Sequence, residues 1–233
     1  MRYQGGKSRI AKPIASAIEL RQQSRESNNT LVSLFCGSCS IESKLAPNFD
    51  RVICNDKHKY LIEMFKALQN GYELPEYISE EQYKYIREHK DEDMALTGFV
   101  GFGCSFGGRF FEGYARNKEN TNYALQSKKS VLKDMQTLWN AEFTCLDYRD
   151  VIIPKDSVVY ADPPYNNTKP INRESFNTQE FWEYMRKISK DNMVFISELN
   201  APDDFKCIWE RPFTRTLDRN CLLYTSDAAD DRI

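Results

Sequence analysis

Residues 158–165, with the sequence Val-Val-Tyr-Ala-Asp-Pro-Pro-Tyr, constrain the fold of this chain more than any other stretch. The apolar, partly β-branched first half predicts a buried strand of a parallel sheet. The two prolines cannot continue the hydrogen-bond ladder, so the strand should end there in a sharp turn. Ligands of open α/β sheets lie beyond the carboxyl ends of the strands. We therefore expect Asp162 and Tyr165 to face a ligand.

The four residues that end this strand suit the binding of a flat ring that carries an amino group. The Asp162 carboxylate and the Pro163 carbonyl can each accept one amine hydrogen, because proline offers an acceptor and no donor. Tyr165 offers a face for stacking, a contact worth roughly 1–3 kcal/mol per base, and Pro164 keeps the turn rigid. The alternative is a strand-ending turn with a surface carboxylate and a packed tyrosine.

Two earlier segments predict strands that end in residues suited to a nucleotide-like ligand. Residues 30–35 form the first strand, and a turn of small residues and a helix start follow it. This arrangement presents backbone N–H groups to a ligand. Residues 51–56 form the second strand and end in Asp56, 19 residues after Gly37. An acid at that position can accept hydrogen bonds from ribose hydroxyls.

The composition excludes several classes of protein. With 233 residues, of which 41% are hydrophobic and 13% aromatic, the chain can bury one core and a small second lobe. No run in the sequence is long and apolar enough to span a membrane, and the N-terminus has no secretory pattern. Seven cysteines without regular spacing indicate reduced thiols and a cytoplasmic protein. Cys36 and Cys39 have the spacing of metal ligands, but no second pair accompanies them, so we expect no metal site.

Residues 70–140 interrupt the alternation of strands and helices. We predict helices near 79–89 and 122–139, separated by a stretch rich in glycine and phenylalanine, 98–111, that is typical of an adaptable binding surface. From Gly101 to Lys133, six basic residues stand against two acidic ones, in a chain whose formal charge is −2. Aromatic rings can stack on bases, and basic side chains can meet phosphates. The alternative is a solvated surface above phenylalanines of the core.

The motif at residues 162–165 resembles the Asp-Pro-Pro-Tyr motif of the amino-group DNA methyltransferases, which move a methyl group from S-adenosylmethionine to N6 of adenine or N4 of cytosine. The motif order, with cofactor motifs, insertion and then Asp-Pro-Pro-Tyr, is similar to that of the alpha class, the Dam-type enzymes. Residues 35–40 and 190–195 resemble bacteriophage members. The resemblance covers about residues 1–220. It implies a Rossmann-like α/β methyltransferase sheet with a discontinuous catalytic domain, 1–69 and 141–220, and a mostly helical target-recognition insertion, 70–140.

The same resemblance implies a role for each site residue. In the family, an aromatic-x-Gly-Gly-Lys sequence at the N-terminus belongs to the cofactor site, so Tyr3 should pack on the cofactor and Lys7 should face its carboxylate. Asp147 is the candidate for the amine of the cofactor adenine, and Cys39 replaces the last glycine of the family's Phe-x-Gly-x-Gly turn. The expected cofactor site comprises Tyr3, Lys7, Phe35, Gly37, Asp56, Asp147, Tyr148 and Asp162. The expected catalytic motif comprises Asp162, Pro163, Pro164 and Tyr165, and the expected DNA contacts are Arg109, Arg116, Lys128 and Lys129.

These implications predict a site-specific adenine DNA methyltransferase that flips its target base out of the duplex. N4-cytosine transfer uses nearly the same motif, more often with Ser first, and RNA or protein-glutamine methylation usually has Asn first; Asp162 weighs against both. A catalytically impaired protein that binds DNA or cofactor is the remaining alternative. We expect a monomer that binds double-stranded DNA, with no metal ion and no membrane attachment. It should lie in the cytoplasm, that of a bacterial host if a phage encodes it, and a partner nuclease would make it part of a restriction–modification system.

Residues 221–233 differ in composition from the rest of the chain. Their sequence resembles the translation of a transposase adapter used in sequencing libraries, so we expect the natural sequence to end near Asn220. The acidic, small-residue composition does not predict a strand, although Leu222 to Tyr224 could imitate part of one. Family members usually finish with a basic final strand inserted between two others, and we expect that strand to be missing.

Overall fold

A computed structural model describes residues 1–22, 29–164, 176–211 and 222–226 of the chain. Within these residues one sheet contains seven strands: β1 Thr30–Ser33, β2 Arg51–Asn55, β3 Glu142–Thr144, β4 Val158–Ala161, β5 Met193–Glu198, β6 Phe205–Glu210 and β7 Leu222–Ser226. The α-helices are α1 Ala11–Gln22, α2 Glu42–Leu45, α3 Lys59–Gln69, α4 Glu80–Glu88, α5 Met94–Gly103, α6 Tyr123–Met135 and α7 Thr178–Ile188. Short 3-10 helices lie at Ala46–Asn48 and Phe106–Gly108.

The strands are arranged in the order β3-β2-β1-β4-β5-β7-β6. The strands from β3 to β5 in this order are parallel to their neighbours, whereas β7 is antiparallel to both β5 and β6. The chain moves outward from β1 through β2 to β3 and then returns to β4 beside β1, so the strand order reverses between β1 and β4. The predicted Rossmann-like α/β sheet is therefore confirmed.

Strand β4 lies in the middle of the sheet and is buried on both faces. Val158 and Tyr160 belong to the apolar cluster on one face, and Val159 and Ala161 belong to the cluster on the other. All four side chains are at most 1% exposed, which explains the continuous apolar run in the sequence. The strand ends at Ala161, immediately before the Asp-Pro-Pro sequence, as predicted.

The helices beside the sheet show apolar faces at helical spacing. Helix α7 buries Phe181, Trp182 and Met185, and the Asn177 side chain caps its first turn by accepting a hydrogen bond from the Glu180 N–H. Helix α3 buries five apolar side chains. No helix in the described part of the chain is long and apolar enough to cross a membrane.

The glycine- and phenylalanine-rich stretch is not the loop that its composition predicts. Its first part belongs to helix α5, in which Phe99 and Phe102 are fully buried. Helix α5 packs closely on α3. Gly98 permits this approach, because a Cβ atom at this position would lie only 2.1 Å from the Tyr60 carbonyl oxygen. The prediction of an adaptable surface is therefore wrong up to Gly103.

Helices of the insertion and elements around the sheet share one hydrophobic core. Phe65 of α3, Phe99 of α5 and Val131 of α6 belong to the same buried cluster as Leu31 of β1 and Phe195 of β5. The boundaries of the insertion at 70–140 stay a prediction; the named elements between these positions are helices, and the core is continuous across both ends.

The expectation that the final strand is missing is wrong. Leu222 to Ser226 form β7, which pairs with β5 on one side and β6 on the other. Leu223 is fully buried and Tyr224 is 8% exposed. Successive side chains of a strand point to opposite faces of the sheet, so Leu223 and Tyr224 each contribute one apolar residue to one face. These two residues are sufficient for an interior strand, although the residues that follow them in the sequence are polar. The proposed adapter origin of residues 221–233 stays a prediction.

Candidate active site

A cavity of about 330 Å³ lies at the carboxyl ends of β1, β2 and β4. Its walls come from the segments that follow β1 through β4 and from the N-terminal segment, residues 3–7. The cavity coincides with the reversal of strand order between β1 and β4, which is where open α/β sheets bind their ligands. The residues predicted at the strand ends thus line one cavity.

The turn after β1 forms the floor of the cavity. Gly37 and Cys39 both have left-handed backbone conformations, with φ of 49° and 56°. Cys39 therefore adopts a conformation that glycine reaches more easily, at the position where the family's last glycine was expected. Its N–H closes the turn on the Cys36 carbonyl at 2.8 Å.

Asp56 follows β2 and faces this turn. Its two carboxylate oxygens accept hydrogen bonds from the Gly37 N–H and the His58 N–H, each at 2.9 Å. Burial raises the pKa of Asp56, and these two hydrogen bonds oppose the rise. Because each carboxylate oxygen can accept a further hydrogen bond, Asp56 keeps the capacity to bind ribose hydroxyls.

Tyr3 packs over the floor of the cavity. A Cβ atom at Gly37 would lie 3.0 Å from the Tyr3 ring, so the absence of a side chain at this position makes room for the tyrosine. On its other side Tyr3 contacts Phe102 of α5, with 4.8 Å between the ring centroids. The expected proximity of Tyr3 to the cofactor turn is thus observed, and Tyr3 also joins that turn to the insertion.

Lys7 and Asp162 meet at the edge of the cavity. The Lys7 ammonium lies 2.5 Å from Oδ1 of Asp162, and Lys7 is 8% exposed. Lys7, expected to face the cofactor carboxylate, therefore also contacts the catalytic candidate. Pro163 and Pro164 line the same edge, whereas Tyr165 and the segment 166–175 lie outside the described residues.

The opposite wall is formed by the segment after β3. Asp147 accepts hydrogen bonds from Arg149 at 2.7 and 3.1 Å, and Lys57 lies 3.8 Å away. The hydrogen bonds from Arg149 hold the pKa of Asp147 below its usual range. Beside it the Tyr148 and Phe35 rings pack with centroids 5.3 Å apart. This wall supplies aromatic faces and an ionised carboxylate, which suits an adenine ring.

Glu42 is a cavity residue that the sequence analysis missed. It is the first residue of α2, is 2% exposed, and accepts a hydrogen bond of 2.6 Å from the Ser33 hydroxyl. Burial raises the pKa of its carboxyl to about 7. A glutamate in a segment of otherwise small or apolar residues was the only signal available in the sequence.

The four basic residues expected to bind DNA lie at the surface of the insertion. In the free protein Arg109 pairs with Glu112, Arg116 with Glu80, and Lys128 with Glu76. These pairs are exposed on at least one side, so the basic partners can exchange them for phosphates at small cost. Lys129 is also exposed.

Phe106 lies beside Arg109, whose N–H donates to the Phe106 carbonyl, and is 64% exposed. It begins a tight turn in which Gly107 and Gly108 have φ of 65° and 68°. At the base of the turn, the Gln4 N–H donates a hydrogen bond of 2.9 Å to the Gly108 carbonyl. An exposed phenylalanine thus extends from a turn that is fixed to the N-terminal cofactor segment.

The family of the chain follows from its sequence as a whole. A sequence model of the D12 class N6 adenine-specific DNA methyltransferases matches residues 3–99 and 105–196. The chain belongs to this family. It is therefore a methyltransferase, and both the family and the sheet imply S-adenosylmethionine as the methyl donor. A search of curated proteins found no match.

Solved structures of other methyltransferases resemble this D12 class protein only distantly. The rRNA methyltransferase aviRa from Streptomyces viridochromogenes is 14% identical, with a TM-score of 0.49, over 99% of this chain and 89% of that chain. An rRNA methylase from Streptococcus thermophilus is 10% identical, with a TM-score of 0.45, over 92% of this chain and 96% of that chain.

The cavity of this D12 class methyltransferase fits the implied cofactor in its chemistry. Gly37 makes room for the Tyr3 ring over the turn after β1, and Asp56 offers acceptors for ribose hydroxyls. Phe35 and Tyr148 offer apolar faces, and acidic side chains also line the cavity. The residues expected to hold the cofactor are thus collected in one place.

Proposed function

We propose that this chain is a site-specific DNA methyltransferase that modifies N6 of an adenine flipped out of double-stranded DNA. The observation that carries the proposal is the position of Asp162. It directly follows the central strand β4, borders the cavity expected to hold the cofactor, and is held by Lys7. The family match supports adenine as the base and DNA as the polymer, and the order of the motifs supports the alpha class.

Asp162 and Pro163 are the residues that we assign to the target amine. S-adenosylmethionine supplies an electrophilic methyl group when it is bound. The Asp162 carboxylate accepts one amine hydrogen and so increases the electron density on the amine nitrogen, and the Pro163 carbonyl accepts the other. Tyr165 stacks on the base in this proposal. The acceleration comes from positioning and from electrostatic stabilisation.

The proposed cofactor contacts follow from the walls of the cavity. Asp56 binds the ribose hydroxyls, and Asp147 accepts a hydrogen bond from the adenine amine. Tyr3, Phe35 and Tyr148 supply aromatic surface, and Gly37 lets the ligand approach the backbone.

The proposed DNA surface is the exposed part of the insertion. Arg109, Arg116, Lys128 and Lys129 are accessible to phosphates or base edges. Phe106 adds an exposed ring next to Arg109 on a turn tied to the cofactor segment. An apolar ring in that position can fill the space left in the duplex when a base is flipped out.

The experiment that tests this function identifies the methylated base. Purified protein is incubated with S-adenosylmethionine carrying an isotopically labelled methyl group and with unmethylated double-stranded DNA, and the DNA is then digested to nucleosides. We expect label in N6-methyladenine. Asp162→Ala should abolish transfer, and Asp203→Ala, at an exposed acid away from the cavity, should retain it.

Other outcomes would select the alternatives. Label in N4-methylcytosine would show that the target base is cytosine and not adenine. Binding of cofactor and DNA by the unchanged protein without any transfer would indicate an impaired binding protein. Label in RNA but not in DNA, with the same cofactor, would overturn the assignment of the polymer.

A further inference from the structure

Five carboxylates line the cavity, and four of them have their charge compensated by the protein. These five are Glu42, Asp56, Asp147, Asp162 and Glu180. Asp162 pairs with a lysine, and Asp147 and Glu180 share Arg149. Asp56 accepts two backbone N–H groups. The protein therefore supplies a cation or a pair of oriented amides to each of these four groups.

Glu42 is different because its partners within the described residues, the Ser33 hydroxyl and its own backbone N–H, include neither a cation nor a pair of amides. The Ser33 hydroxyl donates to Oε1 at 2.6 Å, and no ion pair of Glu42 occurs among residues 1–22, 29–164, 176–211 and 222–226. The side chain is 2% exposed. The titratable groups that face it are Asp56 after β2, Asp162 after β4 and the Cys36 thiol of the turn. None of these three groups can neutralise an ionised Glu42.

A buried carboxylate with no cationic partner keeps its charge only at a cost in free energy. That cost is offset when a cation enters the same space, because the attraction between the two charges is strong in a poorly solvated cavity. The donor implied for this cavity contains a sulfonium and an α-ammonium group. Lys7, which is paired with Asp162, is the residue expected to face the carboxylate of the same ligand.

We propose that Glu42 is the counter-ion for the cationic methionine part of the cofactor and that it gives the cavity its preference for a positively charged ligand. The inference rests on the proposed function, in that the ligand is S-adenosylmethionine. No local motif in the sequence indicated this role for Glu42. The side chain of Glu42 lies between the turn after β1 and the end of β4. Ser33 orients the carboxylate through its hydroxyl.

The test is a comparison of three ligands by isothermal titration calorimetry, without DNA. S-adenosylmethionine has both cationic groups, S-adenosylhomocysteine has only the ammonium, and 5′-methylthioadenosine has neither. Glu42→Gln keeps the size of the side chain and an acceptor for Ser33 but removes the charge. We expect this variant to bind S-adenosylmethionine about tenfold more weakly, as for the loss of one charged interaction. Its affinity for 5′-methylthioadenosine should be unchanged.

S-adenosylhomocysteine separates the two cationic groups. If its affinity is unchanged in Glu42→Gln, Glu42 is opposite the sulfonium; if its affinity falls with that of S-adenosylmethionine, Glu42 is opposite the ammonium. Either result supports a counter-ion. An equal loss for 5′-methylthioadenosine would overturn the inference, because it would mean that the variant damages the cavity rather than removing a charge.

Proton release provides a second readout that a purely structural role would not change. Slightly below neutral pH, Glu42 is largely protonated in the free protein, so binding of a cation should release a proton from the wild type and not from Glu42→Gln. Titrations in two buffers of different ionisation enthalpy measure this release. Two controls accompany it. Ser33→Ala keeps the charge and should lose less affinity than Glu42→Gln, and Glu19→Gln on the outer surface should behave as wild type.

The outcomes separate this inference from the proposed function. Normal binding of S-adenosylmethionine by both wild type and Glu42→Gln would overturn the role of Glu42 and leave the methyltransferase assignment intact. No binding of S-adenosylmethionine by the wild type would overturn both.

Discussion

The ammonium of Lys7 lies 2.5 Å from Oδ1 of Asp162, although 155 residues separate the two in the chain. The side chains are 6% and 22% exposed, so the pair is largely shielded from solvent. Removal of one partner from such a pair leaves an uncompensated charge. The pair thus joins the N-terminal segment, including Tyr3, to the end of β4, and the two halves of the candidate site depend on each other.

Lys7→Met should lower the free energy of unfolding at neutral pH by roughly 3 kcal/mol, the cost of removing one partner from a shielded ion pair. Adding Asp162→Asn to this variant should recover part of the loss, because the unpaired charge is then also removed. Urea denaturation of the two single variants and the double variant measures the coupling. If the loss of unfolding free energy in the double variant equalled the sum of the losses in the two single variants, a direct interaction between Lys7 and Asp162 would be contradicted. The exposed pair of Lys155 and Asp191 is the matched control and should give at most about 0.5 kcal/mol.

Asp56→Ala should weaken the binding of S-adenosylmethionine by roughly 1–3 kcal/mol, because hydrogen bonds to a charged acceptor are lost. Calorimetry measures the change in affinity, and a thermal melt checks that the turn at Gly37 still folds. Asp50→Ala, at an exposed position before β2, is the control. If Asp56→Ala had unchanged affinity for S-adenosylmethionine, Asp56 would not belong to the cofactor site.

Replacement of Arg109, Arg116, Lys128 and Lys129 by alanine should weaken the binding of DNA. Each phosphate contact that is lost should reduce the slope of log affinity against log salt concentration by about one unit. Binding isotherms over a series of salt concentrations measure the slope. Lys12→Ala with Lys187→Ala, two exposed lysines outside the insertion, should leave it unchanged. If the quadruple variant had wild-type affinity and slope, the DNA surface would lie elsewhere.

The free protein should lose stability as the pH rises through about 7, because of Glu42. Its carboxyl has a higher pKa in the folded than in the unfolded state, so the folded protein holds this proton more tightly. The resulting stabilisation is complete at a pH below the ordinary carboxyl pKa and is lost as the pH rises through the folded-state pKa. Between about pH 5 and pH 8, the stability of wild type relative to Glu42→Gln should fall by about 3 kcal/mol. A difference independent of pH, measured by urea denaturation, would show that the Glu42 carboxyl is not perturbed.

Leu223→Ala should destabilise the protein by roughly 2–5 kcal/mol, the usual cost of truncating a fully buried leucine. This prediction tests whether β7 is an interior strand of the folded protein in solution. Leu20→Ala, which shortens a leucine that is 72% exposed on α1, should cost less than about 0.5 kcal/mol. If the two substitutions had equally small effects, residues 222–226 would not occupy the sheet.

The parallel part of the fold could be predicted because each strand carries its own signal. β4 is a continuous apolar run stopped by prolines, and β2 is a short apolar run that ends next to Asp56. Residues at the ends of such strands are brought together by the sheet itself. For this reason Gly37, Asp56 and Asp162 could be placed at one cavity from their positions in the sequence alone.

Helix α5 could not be predicted, because glycine ordinarily indicates a loop. In this protein Gly98 and Gly101 permit close contacts: a Cβ atom at Gly98 would lie 2.1 Å from the Tyr60 carbonyl oxygen, and one at Gly101 would lie 2.3 Å from the Phe110 ring. Close packing of this kind depends on the partner and leaves no local periodic signal. The same reason applies to Glu42, whose surroundings come from several segments of the described chain, and to β7, which is defined by its pairing with β5 and β6.

The hydrogen bond from the Gln4 N–H to the Gly108 carbonyl has a consequence for the design of altered sequence preference. A Cβ atom at Gly108 would lie 2.6 Å from the Tyr3 backbone nitrogen, so any side chain there would displace the N-terminal segment. Phe106 and Arg109 flank the two glycines of this turn. Both side chains are exposed, so substitutions at these two positions would not displace the N-terminal segment. A library that varies these two positions and keeps the glycine would test whether the turn contributes to the proposed recognition of DNA, while it preserves the contact between the turn and the N-terminal segment.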